Sequence, residues 1–528
     1  MMLEIGRIDR KRILKICAFI CPAIVFIYFV LFYNPTGAIV SLLSDDAFYY
    51  CKIAKNIAEG QGCTFDGIAA TNGFHPLWMI YEILIYRIAH PDLEVPVLII
   101  IVTNGLLCLI TLALLYQLVE EFIAPRFGLI AVAVALLPNL LTAMLNGLET
   151  GLQLFAMVLV LRSCYKRNLL DPEAVGNGPI VFGIMLGIIT LCRLDAVFLF
   201  IAAMFMNIAA TAANRLPLRR SIHRMSLLSA GFVITLMPYL IWNLASFNHL
   251  TPISSTVKSS FPAIRRHLTL TSDTLVGTGM IAVVLVLVAF IVAASDYRNN
   301  RWRKAFSSPL VMLTLASLFH FANVFLFMSW GVYWWHFAIY GLTITIALSQ
   351  GTFLFTISRP KLRSLVVAIL VIPIIALAVV MKENELRIKG IQHKGWLQAA
   401  EWARMHTPPD ALFAMPDAGL FGYFSDRRVI CLDGKANGYT FLEYLNRGDV
   451  ESYLRQVGTS YFANIRVEYV LGTHRISILR SNKPSVILSM NQEWEVYRGP
   501  AIPSYAPRFG KVPQSHFVIW KVPCPVTN

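Results

Sequence analysis

Charge is what this chain has least of. Charged residues make up 14% of its 528 positions, against about a quarter in soluble domains. Acids are the scarcer sign, 30 Asp and Glu against 45 Lys and Arg. This shortage excludes a soluble globular class for most of the length. Hydrophobic residues reach 57% and the mean hydropathy is +0.62. Apolar runs of about 17 to 25 residues recur, each long enough to cross roughly 30 Å of hydrocarbon. No small-residue cleavage site follows the first run, Ile13 to Tyr33, which Arg7, Arg10, Lys11 and Arg12 precede. That run therefore reads as a retained first span, not a signal peptide. No internal repeat is visible. The nine cysteines lack metal-site spacing. Cys17, Cys21, Cys108, Cys164 and Cys192 lie in or beside spans as packing residues.

A net charge of +15 suggests nucleic acid in a soluble protein. Here most of the excess sits in short loops between apolar runs: "RLPLRRSIHR" (215–224), "DYRNNRWRK" (296–304) and "SRPKLR" (358–363). Such clusters mark the cytoplasmic side, so nucleic acid is not the expected partner. With the N-terminus in the cytoplasm, spans fall near 13–33, 96–118, 127–144, 148–165, 178–194, 195–212, 226–246, 274–294, 308–329, 336–357 and 362–382, about eleven in all. The stretch "HPLWMIYEILIYRIA" (75–89) is short and interrupted by Glu82. Counting it as a span would turn the three basic loops outward, so it reads as an amphipathic helix on the outer membrane surface.

The composition changes near residue 383, which divides the chain into a membrane domain, 1–382, and a C-terminal domain, 383–528. "KGWLQAAEWARMHTPPDALFAMPDAGLFGYFSDRRVICLDG" predicts helix, turn, short strand, small helix and second strand. Further strands are expected at 467–473, 493–499 and 516–522, giving a small extracytoplasmic α/β domain. "DAGLFGYFS" lacks the glycine pattern of a dinucleotide site; acceptor or glycan binding is the better expectation for this domain. Cys51 with Cys63, and Cys431 with Cys524, fall outside the cytoplasm, where either pair has the environment for a disulfide.

The outer face collects the first loop, 34–95, with the acids Asp45 and Asp46 and the aromatics Tyr49 and Tyr50. It also collects Glu149, Asp195, His75, Arg193, Lys258, Arg265, Arg266 and His336. Ionisable groups at membrane depth are functional-site candidates by default. Carboxylates beside converging cations suit one kind of chemistry, in which a carboxylate takes a proton from a hydroxyl nucleophile while cations hold a phosphate leaving group. Each residue also has a plainer reading. Asp45 and Asp46 sit where a helix N-cap belongs, although a cap accounts for one acid, not two. His75 reads equally as the start of the surface helix and Glu149 as a cap. Arg193 and Asp195 read equally as a mutual salt bridge, and Lys258 as a solvated lysine in a serine-rich loop.

These stretches occur in a particular order: the acidic pair, "NIAEGQGCTFDG", "TNGFHPLW" with Asn72 and His75, "NGLETGLQLF", "CRLDAVFLF", "PYLIWNLASFNHLTPISSTVKSS", "VYWWHFA" and the 399–434 segment. The set resembles bacterial GT-C glycosyltransferases, integral-membrane enzymes that use polyprenyl-phosphate sugars. The nearest likeness is to arabinofuranosyltransferase-like and mannosyltransferase-like members. The resemblance implies a polytopic α-helical GT-C fold with a cavity open to the outer face of the cytoplasmic membrane. It also implies inverting transfer to a hydroxyl of a glycan, lipid or protein acceptor, with membrane lipids around the site. Asp45 would be the catalytic base, and Asp46 would orient the acceptor or support Asp45. Lys258, Arg193 and His336 would contact the donor phosphate. His75, Glu149, Tyr49, Asn72 and Asp195 would complete the substrate-binding set. Some such enzymes hold a divalent cation, Mg, Mn or Ca, at the acidic motif, here Asp45 and Asp46. The rival reading is a transporter, flippase or non-catalytic binding protein for lipid-linked sugars; repeated halves or paired broken spans would mark a transporter, and neither is visible.

Overall fold

The computed structural model describes residues 21–89, 92–173, 176–264, 279–288, 291, 306–328, 330, 333–357, 359–464, 468–470, 473–478, 486–503 and 514–522. Arg265, Arg266, Cys17, Cys524, the basic residues before the first span and the 296–304 loop lie outside the described residues. Helix α1, Cys21–Tyr33, turns by 110° into α2, Pro35–Leu42. The bend falls at Asn34, whose side chain accepts from Gly37 N at 3.0 Å and so caps α2, while Pro35 starts the helix where no N–H is needed. Helices α3 (Asp45–Ala58) and α4 (Pro76–Ala89) follow.

Helix α4 is amphipathic in an unusual sense. Ile80, Leu84 and Ile88 are exposed along one stripe, the face a membrane-surface helix offers to lipid. Glu82 is not on a polar outer face. It is fully buried beside Cys51, Trp78 and Tyr86. Burial raises its pKa well above the usual carboxylate value, the direction that favours the neutral acid.

The membrane helices are α5 (Val95–Leu118), α6 (Gly128–Ala135), α7 (Pro138–Leu145), α8 (Thr150–Arg167), α9 (Gly178–Cys192), α10 (Val197–Asn214) and α11 (Leu218–Phe247). After the short α12 (Ile253–Lys258) come α13 (Gly279–Val288), α14 (Pro309–Phe327), α15 (Ala338–Thr356) and α16 (Arg363–His406). Among the described residues five helices are long and apolar enough to cross a bilayer, and the chain is a multi-pass membrane protein. The expected single span at 127–144 is two helices of 8 residues each, α6 and α7. Pro138, which cannot donate to the turn before it, starts the second. The 178–212 stretch is two helices that turn at Arg193–Ala196, as its central charges predict.

Helix α16 is 44 residues long and runs through position 383 without interruption. It carries the chain from the membrane part into the C-terminal domain. There a five-stranded sheet has the order β2-β1-β3-β8-β7, with β1 Leu412–Met415, β2 Arg428–Cys431, β3 Tyr461–Asn464, β7 Glu495–Pro503 and β8 Gln514–Lys521. Strand β1 pairs in parallel with β2 and β3, and the β8 pairings are antiparallel. A separate three-stranded sheet holds β4 (Glu468–Val470), β5 (Thr473–Ile478) and β6 (Val486–Asn491). The crossover helix α17, Gly419–Phe424, joins β1 to β2 and is wholly buried, because it packs against α3 and α16. One hydrophobic cluster accordingly runs from Phe48 and Cys51 of α3 to Phe413, Phe421 and Tyr423 of the C-terminal domain. Cys51 and Cys63 are free thiols, and the Cys63 thiol donates to the Thr71 carbonyl at 3.1 Å.

Candidate active site

The two acids that open α3 face different ways. Helical rotation of about 100° per residue separates neighbours at its first two positions. Asp45 turns toward the C-terminal domain, where its carboxylate accepts from Gly419 N at 3.1 Å and Leu420 N at 2.7 Å. It thus caps α17, a helix in another domain, rather than its own. Gly419 permits this approach, since a Cβ there would overlap the Asp45 carbonyl oxygen. Burial and then the Asp417 charge push the Asp45 pKa well up.

Asp46 turns to a cleft of about 520 Å³. Asp46, Tyr49 and Tyr50 of α3 form one wall. Gly73, Phe74 and His75 of the first loop, the tip residues Leu148 and Glu149, Arg193, Ser254 and Lys258 of α12, and Trp335 complete it with Lys435 and Ala436 of the C-terminal domain. Burial alone would raise the Asp46 pKa, but Lys435 and then Lys258 pull it below the usual value. Asp46 is therefore ionised at neutral pH, and its side chain is 24% exposed.

Of the residues expected at the site, Asp46, Tyr49, His75, Glu149, Arg193 and Lys258 meet at this cleft. On its membrane side Arg193 Nη1 binds Glu149 at 2.7 Å and its Nε binds Asp195 at 2.8 Å. His75 Nε2 lies 3.5 Å from the same Glu149 oxygen, and its Nδ1 accepts from Leu194 N at 3.3 Å. Asp195 also takes a hydrogen bond from Gln153 at 3.1 Å. Arg193 and Asp195 are thus a mutual salt bridge, with Arg193 linking it to the cleft wall. His336 is buried behind the wall, where its Nδ1 accepts from Tyr333 N at 3.1 Å.

Asn72 is fully buried and does not line the cleft. Its amide donates to Asn243 at 2.9 Å and its oxygen accepts from Ile253 N at 2.9 Å and the Tyr439 hydroxyl at 3.3 Å. It ties the first loop to α11, α12 and the C-terminal domain. The Tyr49 hydroxyl accepts from Ala418 N at 2.8 Å and from the Cys431 thiol at 3.3 Å.

Sequence reasoning missed Lys435. Its ammonium lies 2.9 Å from Asp433, 3.5 Å from Asp46 and 3.7 Å from Asp417. The signal was the turn "CLDGK", in which Gly434 takes a φ of +78° and folds the chain back at the end of β2. On the other side Gly73 packs against the Lys435 carbonyl, where a Cβ would collide with backbone.

The acidic motif does not suit a divalent cation. Both Asp45 oxygens are held by backbone N–H groups, and Asp46 faces an ammonium, whereas such ions take six or more oxygen ligands. Among the described residues no group of three or more His, Cys, Asp or Glu is arranged to hold a metal.

Residues 381–512 match a family described as a domain of unknown function, DUF8728. No curated protein matches the chain. Among solved structures, the chain is similar to apo ArnT from Cupriavidus metallidurans at a TM-score of 0.57 and 11% identity, covering 91% of this chain and 98% of that one. ArnT bound to undecaprenyl phosphate gives 0.51 and 11%, covering 90% and 98%. The archaeal oligosaccharyltransferase AglB from Archaeoglobus fulgidus, in complex with an inhibitory peptide and a dolichol-phosphate, gives 0.51 and 13%, covering 86% of this chain and 70% of AglB. At such identities the likeness speaks for the fold. The chain shares the fold of these structures, and in it a bundle of apolar helices is joined to a C-terminal α/β domain.

Proposed function

We propose that the chain transfers a sugar, arabinofuranose or a hexose, from a polyprenyl-phosphate donor to a hydroxyl of a glycan, lipid or protein acceptor. The reaction runs at the outer face of the cytoplasmic membrane. The observation that carries this reading is one cleft holding an ionised carboxylate, Asp46, together with the cation Lys258. The basic loops at 215–224 and 358–363, at the far ends of the helices, favour the outward orientation. ArnT with undecaprenyl phosphate and AglB with a dolichol-phosphate are relatives in fold that hold the class of lipid proposed here.

The base role suits Asp46 better than Asp45. Asp45 spends both oxygens on α17, whereas Asp46 lines the cleft and is charged. Asp46 takes the acceptor proton as the acceptor oxygen bonds to the anomeric carbon. The bond from that carbon to the phosphate oxygen breaks, and the electron pair leaves with the phosphate. Lys258 stabilises that charge. Arg193, already shared between Glu149 and Asp195, adds positive field at the wall. A single displacement inverts the anomeric centre, through a transition state with oxocarbenium character.

Purified protein given a radiolabelled polyprenyl-phosphate sugar tests this. Transfer is expected from the wild type and lost in Asp46→Asn with expression intact. Movement of the intact lipid-linked sugar across vesicles without transfer would instead identify a flippase.

A further inference from the structure

The Lys435 ammonium occupies the centre of an acidic triangle. Asp46 comes from the membrane part and Asp417 and Asp433 from the C-terminal domain, all within 4 Å of Nζ. The aromatic rings of Tyr49 and Trp330 lie on the same group, 5.5 and 5.6 Å from it, at cation–π range. Three carboxylates around one cation, at the motif where some enzymes of the family this chain resembles hold a divalent ion, make a specific arrangement. The position such an ion would need is filled by a side chain.

We infer that Lys435 replaces a divalent cation in this chain: the C-terminal domain supplies a built-in positive charge that holds Asp46 ionised and oriented. Lys435 is then a positioning residue acting through Asp46. Its own state is secure, because burial, which would lower its pKa, is overcome by Asp433 and then Asp46, and the net direction is well upward. The groups facing Asp46 are Lys435 of the C-terminal domain, Lys258 of α12, His336 behind the cleft and Asp45 on its own helix. Of these only Lys435 comes as a cation from the C-terminal domain, so its share of the positive charge at Asp46 depends on that domain being docked.

As placed, Asp46, Asp417 and Asp433 are too far apart to hold a metal. With the ammonium removed, their mutual repulsion is relieved when the oxygens close onto an added Mn²⁺ or Ca²⁺, for which carboxylates are hard donors. The inference rests on the role proposed for Asp46, but ion binding is read without any sugar transfer, so the two can fail separately. The probe is Mn²⁺ added to the full-length protein in detergent, followed by the loss of the free-ion paramagnetic resonance signal. The wild type is expected to bind no stoichiometric Mn²⁺ and to transfer sugar equally with and without EDTA. Lys435→Met is expected to bind one Mn²⁺ at least about tenfold more tightly than the wild type, and Asp46→Asn in that background to abolish the binding. In Lys435→Met the acid limb of the pH–rate profile should also move to higher pH. A wild type that binds Mn²⁺ and loses it with Asp46→Asn overturns the inference, as does a folded Lys435→Met that gains no ion. If Lys435→Met does not fold, Lys435→Arg decides with the wild type: EDTA-insensitive transfer and no Mn²⁺ binding in both support the inference, and EDTA-sensitive transfer in either overturns it.

Discussion

Two ion clusters share one cleft and are assembled differently. On the membrane side a single cation, Arg193, answers two acids, Glu149 and Asp195, all from the turns between membrane helices. At the domain seam Lys435 answers three acids, one from the membrane part and two from its own domain. The first cluster is closed within one domain and nearly buried, with Arg193 5% and Glu149 2% exposed. In the second, the pair with Asp46 exists only while two domains touch. The difference separates roles: the membrane cluster holds the turns of the bundle together, whereas the seam cluster couples docking of the C-terminal domain to the charge on Asp46.

The strongest way to break this contrast is at Arg193. Arg193→Met leaves Glu149 and Asp195 buried without their partner, at a cost of about 3–5 kcal/mol. Loss of monodisperse protein or a large fall in Tm in detergent is expected; a wild-type Tm would refute the structural role. Next comes the acid pair. Asp46→Asn should cut transfer by about 10²- to 10⁴-fold, the usual worth of a general base, while Asp45→Asn should retain more of it, because the amide oxygen still accepts from Leu420 N and only the bond from Gly419 N is lost. The reverse ranking in the transfer assay would return the base role to Asp45. A smaller effect is expected of Gly73→Ala, which sets a methyl group against the Lys435 carbonyl. Strain of about 1–3 kcal/mol should loosen the seam, seen as faster limited proteolysis of the C-terminal domain with the membrane part intact.

The smallest effect concerns Glu82, outside both clusters. Its folded pKa is raised by burial above an unfolded value of about 4.3. Its folded form therefore costs nothing extra below that pH and increasingly more as pH rises through the window up to the folded pKa. Glu82→Gln removes that cost, so its Tm should exceed the wild type's at neutral pH, with the gap closing as pH falls toward the unfolded value. A gap independent of pH would mean that Glu82 is ionised in the fold.

Much of this was legible along the chain because hydrophobic length and loop charge are local properties. The turn at Arg193–Ala196, the helix 76–89 and the β1–α17–β2 unit all lie where spacing and turn residues predict. The broken span at Pro138 and the burial of Glu82 did not show, since a proline also starts ordinary helices and an acid in an apolar run reads as a surface mark. Asn72 was expected among substrate-binding residues as part of the segment "TNGFHPLW", yet its side chain joins three elements far apart in sequence.

The acidic pair marks the boundary between the two kinds of knowledge. Sequence alone determined that Asp45 and Asp46 open a helix just past the first apolar segment, because helix starts and apolar runs are written in neighbouring residues. Only the tertiary structure decided that one acid caps α17 while the other meets Lys435, nearly four hundred positions away. The reason is that ion pairing depends on which surfaces the domains bury against each other, and no local pattern encodes that choice.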